Sequence, residues 1–169
     1  EVAREILGKH PWSLGGGGAA ELKERIAHSA QTQLGQQVES IGFMCITKQD
    51  DVFVQDEAVL HRGGCESDWI RSFGMGDMVR DWSVTSGPSA VFPYDEEINL
   101  RQLEKTSGVG RYLWRFKRIL EERAVFGGDT FRSANRSWWE YGQIPKDRFR
   151  TPLSIAFAFV ATHNHFVLD

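Results

Sequence analysis

The sequence predicts an α+β fold in a single domain, with small mixed or antiparallel sheets and several short helices. The length of 169 residues suits one domain with its own hydrophobic core. With 41% hydrophobic and 25% charged residues, the composition is that of an ordinary globular chain. Apolar runs of strand length alternate with segments of helical periodicity, and glycines or polar residues separate them.

The first half of the chain begins with a glycine linker, Gly15–Gly18, and the pattern after it predicts a helix from about Ala19 to Leu34. Strands are expected at Ile41–Ile46 and Val52–Val54, and the polar residues 47–51 between them read as a turn. Two further helical pieces are expected in this half, at Glu57–Arg62 and Ser67–Ser72.

The second half is predicted to add strands and longer helices. Ser89–Tyr94 reads as a strand whose Pro93 favours a sheet edge or a strand end. Helices are expected at Glu97–Lys105 and Val109–Glu122. The apolar run Pro152–Ala161, with phenylalanines alternating at 157 and 159, is expected to pair with Phe166–Leu168 as a hairpin across residues 162–164.

Residues 73–82, FGMGDMVRDW, contain two glycines that raise the question of a phosphate-binding loop. Such a loop follows a buried strand and opens a helix, so that backbone amides and the helix dipole face the anion. The residues before it lack the apolar run of such a strand, and the residues after it read as extended or irregular. The sequence therefore predicts an ordinary turn at Gly74 and Gly76.

Several classes of protein are disfavoured. No run approaches the roughly 18 apolar residues of a membrane span, and no charged-then-apolar pattern in the first residues suggests a signal peptide. Cys45 lies in an apolar run and Cys65 lacks partner spacing, so neither zinc nor a disulfide is indicated. We expect a cytoplasmic protein without a membrane partner. The first and last residues read as the middle of a helix and of a sheet, which suggests a piece of a longer polypeptide.

The net charge of −3 conceals a strong asymmetry. Residues 1–100 hold 8 Lys/Arg against 16 Asp/Glu, whereas residues 101–150 hold 12 against 6. Aromatic residues are interleaved with this basic block, a composition that suits a polyanion surface, nucleic acid above all. For Arg111–Arg123 a solvated helix face is an equal alternative. For Arg132–Arg150, which lacks helical periodicity, we favour a binding loop.

Catalytic motifs are absent from the sequence. It contains no H-x-x-x-H, H-E-x-x-H or G-x-S-x-G pattern, and no Walker lysine follows a glycine loop. We therefore do not expect hydrolytic catalysis within this chain.

Six segments, taken in order, resemble the target-recognition region of N6-adenine DNA methyltransferases of the Eco57I/TaqI-like type. They are similar to that family's G-I-x-T-G-x-N-x-A-F-x-I, G-x-D-I-x-x-Y/W, I-x-P-Y, Y-L…F-K-x-x-L-x-x-R, W-W/Y-E and P-K-I…F-x-L-D elements. Here they read ITKQDDVFV (46–54), GDMVRDW (76–82), VFPYD (91–95), YL and FKRILEER (112–123), WWE (138–140), and TPLSI with FVLD (151–155 and 166–169). Taken as a whole, the sequence most resembles those of the large BREX-like methyltransferases of phage defence.

The resemblance implies that catalysis and target recognition lie in different parts of a longer protein. The family's catalytic N/D-P-P-Y/F tetrad, which grips the target adenine, and its glycine-rich S-adenosylmethionine loop are both absent here. The resemblance therefore implies that residues 1–35 are a helical linker from an upstream catalytic domain and residues 36–169 a target-recognition domain truncated at its C-terminal end. No cofactor is expected in this chain. S-adenosylmethionine is expected for the full-length enzyme, as part of restriction-modification or phage defence.

Double-stranded DNA and the upstream catalytic domain are the partners that this interpretation implies. The polar turn at 47–49 can present donors to bases or phosphates, although an ordinary hairpin turn is an equal alternative. Surface pairing of Arg136 and Arg148 with Glu140 and Asp147 is the alternative within the basic block. A protein-interaction or nuclease-associated module with a basic–aromatic docking surface is the other functional class. The predicted DNA-binding residues are Thr47, Lys48, Gln49, Arg80, Arg132, Arg136, Lys146, Arg148 and Arg150.

Overall fold

A computed structural model describes residues 8, 18–80, 82–151, 153–160 and 165–168. The chain divides into two units, residues 1–42 and 43–169. The first unit contains helix α1 (Ala19–Ser29) and a 3-10 turn at Leu34–Gln36. The helix ends five residues earlier than predicted, because the backbone of Ala30 is extended. In the residues that follow, the Gln36 side chain accepts a hydrogen bond from Thr32 Oγ1 at 2.9 Å, a local interaction that competes with helical hydrogen bonding.

The second unit is built on a three-stranded antiparallel sheet. Strands β1 (Val54–Gln55) and β2 (Ile70–Ser72) flank β5 (Ser89–Val91), and Ala90 lies opposite both Val54 and Arg71. All three residues of β5 are buried. The strand predicted at Ser89–Tyr94 is thus shorter and lies at the centre of the sheet. Pro93 lies two residues beyond the end of this strand, so it removes no bond from the ladder.

Helices cover the same core. Helix α3 (Glu57–Arg62) is as predicted, whereas the helix predicted at Val109–Glu122 is divided into α4 (Gly108–Trp114) and α5 (Lys117–Glu121). Ser107 caps α4 by accepting from the Gly110 amide. The Glu66 carboxylate accepts from the amides of Gly108 at 2.6 Å and Val109 at 2.9 Å. Partial burial raises the pKa of Glu66, but these hydrogen bonds outweigh it, so the net pKa is lowered.

Two small hairpins complete the unit. Strands β3 (Val79–Arg80) and β4 (Ser83–Val84) pair after a 3-10 turn at Gly76–Met78, so the predicted turn followed by extended chain is confirmed. Strands β6 (Ile155–Phe157) and β7 (Phe166–Leu168) pair antiparallel, as predicted, with Phe157 opposite Phe166. The turn expected at residues 162–164 lies outside the described residues.

The hydrophobic core lies between the central sheet and helices α2 (Asp50–Phe53), α3, α4 and α5. Two buried tyrosines link its elements by hydrogen bonds: Tyr112 Oη donates to Val52 O at 2.8 Å, and Tyr141 Oη donates to Val91 O at 2.7 Å. Burying these hydroxyls with partners avoids the cost of unsatisfied polar groups. The α+β fold class with small antiparallel sheets is confirmed. No helix in the described part of the chain is long and apolar enough to cross a membrane.

Two predicted strands near the start of the second unit are wrong. Ile46 forms a single bridge, to Gln143. Of the strand predicted at Val52–Val54, only Val54 lies in a strand, β1, because Val52 and Phe53 belong to α2. Local polar side chains explain the helix. Thr47 Oγ1 donates to the Asp50 carboxylate and accepts from the Gln49 amide at 3.0 Å, and two aspartates occupy the first helical turn. Residues 47–49 therefore form a loop that leads into a helix.

Two predicted helices are also corrected. Residues 67–72 form a 3-10 turn (Ser67–Trp69) followed by β2, because residues 70–72 pair with β5. Residues 97–105 form a loop. The Asp95 carboxylate accepts from the amides of Asn99 at 2.7 Å and Glu97 at 3.1 Å, an arrangement that competes with helical hydrogen bonding.

Candidate nucleic-acid interface

The loop at residues 47–49 contacts a buried arginine, Arg123, which is only 5% exposed. The Arg123 guanidinium donates to Thr47 O at 2.6 Å, Trp138 O at 2.8 Å and Glu140 O at 2.9 Å, while its Nε donates to Leu120 O at 3.0 Å. One side chain therefore ties together three segments that are far apart in the sequence. Arginine suits this position because its planar fork offers several donors in fixed directions.

The surroundings of Arg123 are aromatic. Its guanidinium carbon lies 4.0 Å from the centroid of the Phe131 ring and 5.3 Å from that of Phe53. Burial, with a smaller contribution from the Arg136 charge, lowers the pKa of Arg123 to about 10. The group stays charged at neutral pH, and the carbonyls and ring faces supply the compensation that a buried cation requires.

Lys48 and Gln49 border an open surface depression beside this anchor. Lys48 has a positive φ of 60°, and its Nζ donates to Ala124 O at 2.6 Å. Both side chains are half-buried, so part of each reaches the surface. The depression has a volume of about 560 Å³, and its lining consists of Lys48, Gln49, Ile119, Glu122, Arg123 and Ala124.

The third predicted residue of this loop, Thr47, is placed differently. It is 1% exposed, and its hydroxyl is engaged with Asp50 and Gln49. The premise that strands on both sides lift Thr47 toward a ligand is therefore wrong. Its side chain holds the loop, and the DNA contact predicted for this segment rests on Lys48 and Gln49.

Arg136 is turned toward the protein. Its Nε donates to the Glu140 carboxylate at 2.6 Å, and its terminal nitrogens donate to Tyr141 O and Gly142 O. The guanidinium also lies 4.4 Å from the centroid of the Phe131 ring. These contacts correspond to the pairing alternative raised from the sequence, and they use three of the five N–H donors of the guanidinium.

Helix α6 (Lys146–Arg150) carries the last three predicted residues. Lys146 Nζ donates to Asn99 Oδ1 at 2.8 Å, Arg148 Nη1 to Phe43 O at 2.5 Å, and Arg150 Nη2 to Glu97 O at 3.4 Å. Lys146 and Arg150 are exposed, whereas Arg148 is half-buried. The backbone bridge between Ile46 and Gln143 sets the segment before α6 beside the 47–49 loop.

The remaining two predicted residues lie apart in the sequence from this loop and helix. Arg80 is exposed on β3, with Nη1 donating to Val79 O at 2.9 Å. Arg132 is exposed just after the buried Phe131. Both can present a guanidinium to solvent.

The aromatic residues interleaved with the basic block (residues 101–150) are largely buried or half-buried. Tyr112 and Tyr141 belong to the core, and Trp138 and Trp139 are half-buried with their rings 5.5 Å apart. Around Arg111–Arg123, the pairs Lys117–Glu121 and Arg118–Glu122 follow the i,i+4 spacing of a helix surface. The interleaving of basic and aromatic residues therefore reflects core packing as much as a binding surface.

Sequence reasoning missed two residues of this region. The anchoring role of Arg123 leaves no local signal because its partners lie far along the chain. Phe126 is 80% exposed on a short hairpin, and the Gly127-Gly128 pair that follows it is a turn signal that could have drawn attention to it.

No group of His, Cys, Asp or Glu side chains among the described residues is arranged to hold a metal ion. Cys45 and Cys65 are free thiols, and burial, supported by nearby Asp50 and Glu66 respectively, raises the pKa of each to about 11. A thiol with so high a pKa is a poor nucleophile.

No family model matches the chain. The chain is 37% identical over 165 residues to a protein of Streptomyces coelicolor described as adenine-specific methyltransferase PglX. The aligned region covers 98% of this chain and 14% of that protein, so the chain spans a small part of its relative's length. The resemblance to adenine-specific methyltransferases is confirmed in part, and the target-recognition role stays a prediction. This chain is homologous to one segment of an adenine-specific methyltransferase.

Proposed function

We propose that this chain is the DNA-contacting, target-recognising segment of a larger, site-specific N6-adenine DNA methyltransferase of restriction-modification or phage defence. The observation that carries the proposal is the 37% identity to one segment of a protein described as an adenine-specific methyltransferase, in a chain whose sequence lacks the catalytic tetrad and the glycine-rich cofactor loop. Methyl transfer and S-adenosylmethionine binding then belong to the rest of a longer, cytoplasmic polypeptide. The partners of this segment are double-stranded DNA and the catalytic domain of that same polypeptide.

The proposed contact surface consists of the 47–49 loop, helix α6 and neighbouring exposed cations. Lys48, Lys146 and Arg150 carry positive charges near the surface, and each donates to a neutral oxygen that a phosphate can replace. The Gln49 amide offers both a donor and an acceptor, the pattern that reads an adenine edge. Arg123 and Arg136 are assigned a structural role in this proposal because each guanidinium donates to several groups of the protein, four carbonyls for Arg123 and Glu140 with two carbonyls for Arg136.

Salt-dependent binding tests this assignment. Each phosphate contact releases condensed counterions, so removing one should flatten the slope of log affinity against log salt by about 0.9. We expect this flattening for Lys48→Ala, Lys146→Ala and Arg150→Ala in the full-length protein. Arg118→Ala is the matched control, because the Arg118 side chain is 90% exposed and pairs with Glu122 on the helix surface.

The measurement uses the motif duplex and a scrambled duplex of equal length. A smaller salt slope and weaker binding on both duplexes identify a phosphate contact, whereas a loss of affinity on the motif duplex alone, about 1–3 kcal/mol, identifies base reading. If the three variants and the control all keep the wild-type slope and motif preference, these side chains form a solvated face and the assigned surface is wrong.

A protein-interaction or nuclease-associated module is the second candidate function. One observation favours it: a face of the β6–β7 hairpin carries four large apolar side chains that are 36–70% exposed, namely Ile155, Phe157, Phe166 and Leu168. Exposed apolar patches of this kind mark protein contacts. Charged substitutions on this face that abolish a subunit contact, combined with DNA binding that does not depend on Lys48 or α6, would favour this candidate.

A further inference from the structure

We propose that Phe126 is a wedge residue, whose ring stacks against a base at an opened step of the bound duplex. The inference rests on the proposed DNA-contacting function and adds to it a residue and a mode of contact. Proteins that deform DNA insert apolar side chains between base steps, and aromatic rings stack on unstacked bases.

The ring sits at the tip of a short hairpin formed by residues 124–130. Ala124 and Thr130 form the closing bridge, and the Val125 amide donates to Asp129 O at 2.8 Å. Gly127 and Gly128 have positive φ values of 110° and 97°, conformations that glycine adopts without strain. Cβ atoms added at these two glycines would meet nothing within 4 Å, so the tip projects into open space.

The base of the hairpin is firmly held. The Thr130 amide donates to Ser133 Oγ at 2.9 Å, and the Ser133 amide donates back to Thr130 Oγ1 at 3.1 Å. The next residue, Phe131, is fully buried against Arg123, and its amide donates to Arg123 O at 2.9 Å. A projecting tip on a fixed base is suited to insertion, because little conformational entropy remains to be lost on binding.

The chemistry around the ring favours a nucleic-acid base over an apolar protein partner. Phe126 is 80% exposed, and Lys48 Nζ lies 4.6 Å from its ring centroid, in position to meet a phosphate once the ring is inserted. The neighbouring depression is rimmed by Gln49, Glu122 and Arg123. Glu122, which lines the depression, pairs with Arg118, and Asp129 of the hairpin accepts from Ser133 Oγ.

The test uses the full-length protein and duplexes that carry its methylated motif, with 2-aminopurine placed in turn at each position. We expect wild-type protein to raise the fluorescence at one position other than the target adenine, where the wedge opens the stack. Phe126→Ala should abolish that signal and weaken binding roughly 5-fold to 150-fold, the range that base–aromatic stacking gives on alanine substitution. Because phenylalanine is uncharged, the salt slope should not change.

Two further variants complete the design. Phe126→Tyr keeps a stacking ring and should retain the fluorescence signal. Phe159→Ala removes a ring that is 77% exposed, lies outside the 124–130 hairpin and packs against Phe43; the fluorescence signal should remain. Wild-type affinity and fluorescence in Phe126→Ala would overturn the wedge while leaving the DNA-contacting function intact. Failure of the wild-type protein to bind the duplex would overturn both.

Discussion

Replacing Arg123 by methionine should destabilise the second unit strongly, because the guanidinium is the link between three chain segments. Methionine approximates the volume of the side chain but offers no donor. The carbonyls of Thr47, Trp138 and Glu140 then lose a charged partner. An unsatisfied buried polar group costs roughly 1–3 kcal/mol, and a hydrogen bond to a charged group contributes about 1.5–3 kcal/mol.

The expected loss in the free energy of unfolding depends on how far water can reach the three carbonyl groups. Thr47 is fully buried, whereas Trp138 and Glu140 are half-buried and water can reach part of the vacated space. Discounting the two half-buried carbonyls gives a loss of about 3–5 kcal/mol in the free energy of unfolding, a large fraction of the 5–15 kcal/mol typical of a domain. Arg123→Lys should lose nearly as much, because one ammonium cannot span all three acceptors.

Urea denaturation followed by circular dichroism measures this loss. The control is Arg118→Met, which removes an exposed arginine from a surface pair with Glu122 and should change stability by less than about 0.5 kcal/mol. A loss below about 1 kcal/mol in Arg123→Met would refute the reasoning, since it would mean that solvent satisfies the carbonyls as well as the guanidinium does.

Three further predictions concern a helix cap, the thiols and the cofactor. Glu66→Gln should lower the free energy of unfolding by about 0.5–2 kcal/mol at pH 7. Since the pKa of Glu66 is lowered by folding, this difference should shrink as the pH falls below the unfolded value near 4.5; an equal difference in urea melts at pH 7 and pH 3 would contradict the cap. Cys45 and Cys65, with pKa values of about 11, should react with a thiol reagent at pH 8 about 100-fold more slowly in the folded than in the unfolded chain, and equal rates would contradict their burial. Calorimetric titration of residues 1–169 with S-adenosylmethionine should give no binding, and micromolar affinity would contradict the assignment of the cofactor to the rest of the polypeptide.

The fold could be predicted where the signals are local. Helix α3 lies between Asp56 and the Gly63-Gly64 pair, and the β6–β7 hairpin shows alternating apolar side chains. The error at Val52 and Phe53, which were predicted to form a strand and belong to helix α2, has a physical cause. Val52 and Phe53 suggest a strand by propensity, but Asp50 and Asp51 favour a helix N-terminus, and burial of the two apolar side chains is compatible with either structure.

The candidate site could be predicted only in its exposed part. Lys48 and Gln49 were singled out because polar residues between apolar runs tend to reach the surface. Arg123 was read as part of a basic helix, yet its carbonyl partner at Thr47 lies 76 residues earlier in the chain. No sequence pattern distinguishes an arginine that reaches solvent from one that ties buried carbonyls, because the difference depends on long-range packing.

The most direct test of the central claim, that this segment selects the DNA target, is an exchange of segments followed by methylome sequencing. In the full-length protein, residues 43–169 are replaced by the aligned residues of the Streptomyces coelicolor relative, and the methylated motif is read in host DNA. The proposal predicts that the motif changes to that of the donor while adenine methylation persists. Persistence of the original motif after the exchange would contradict it.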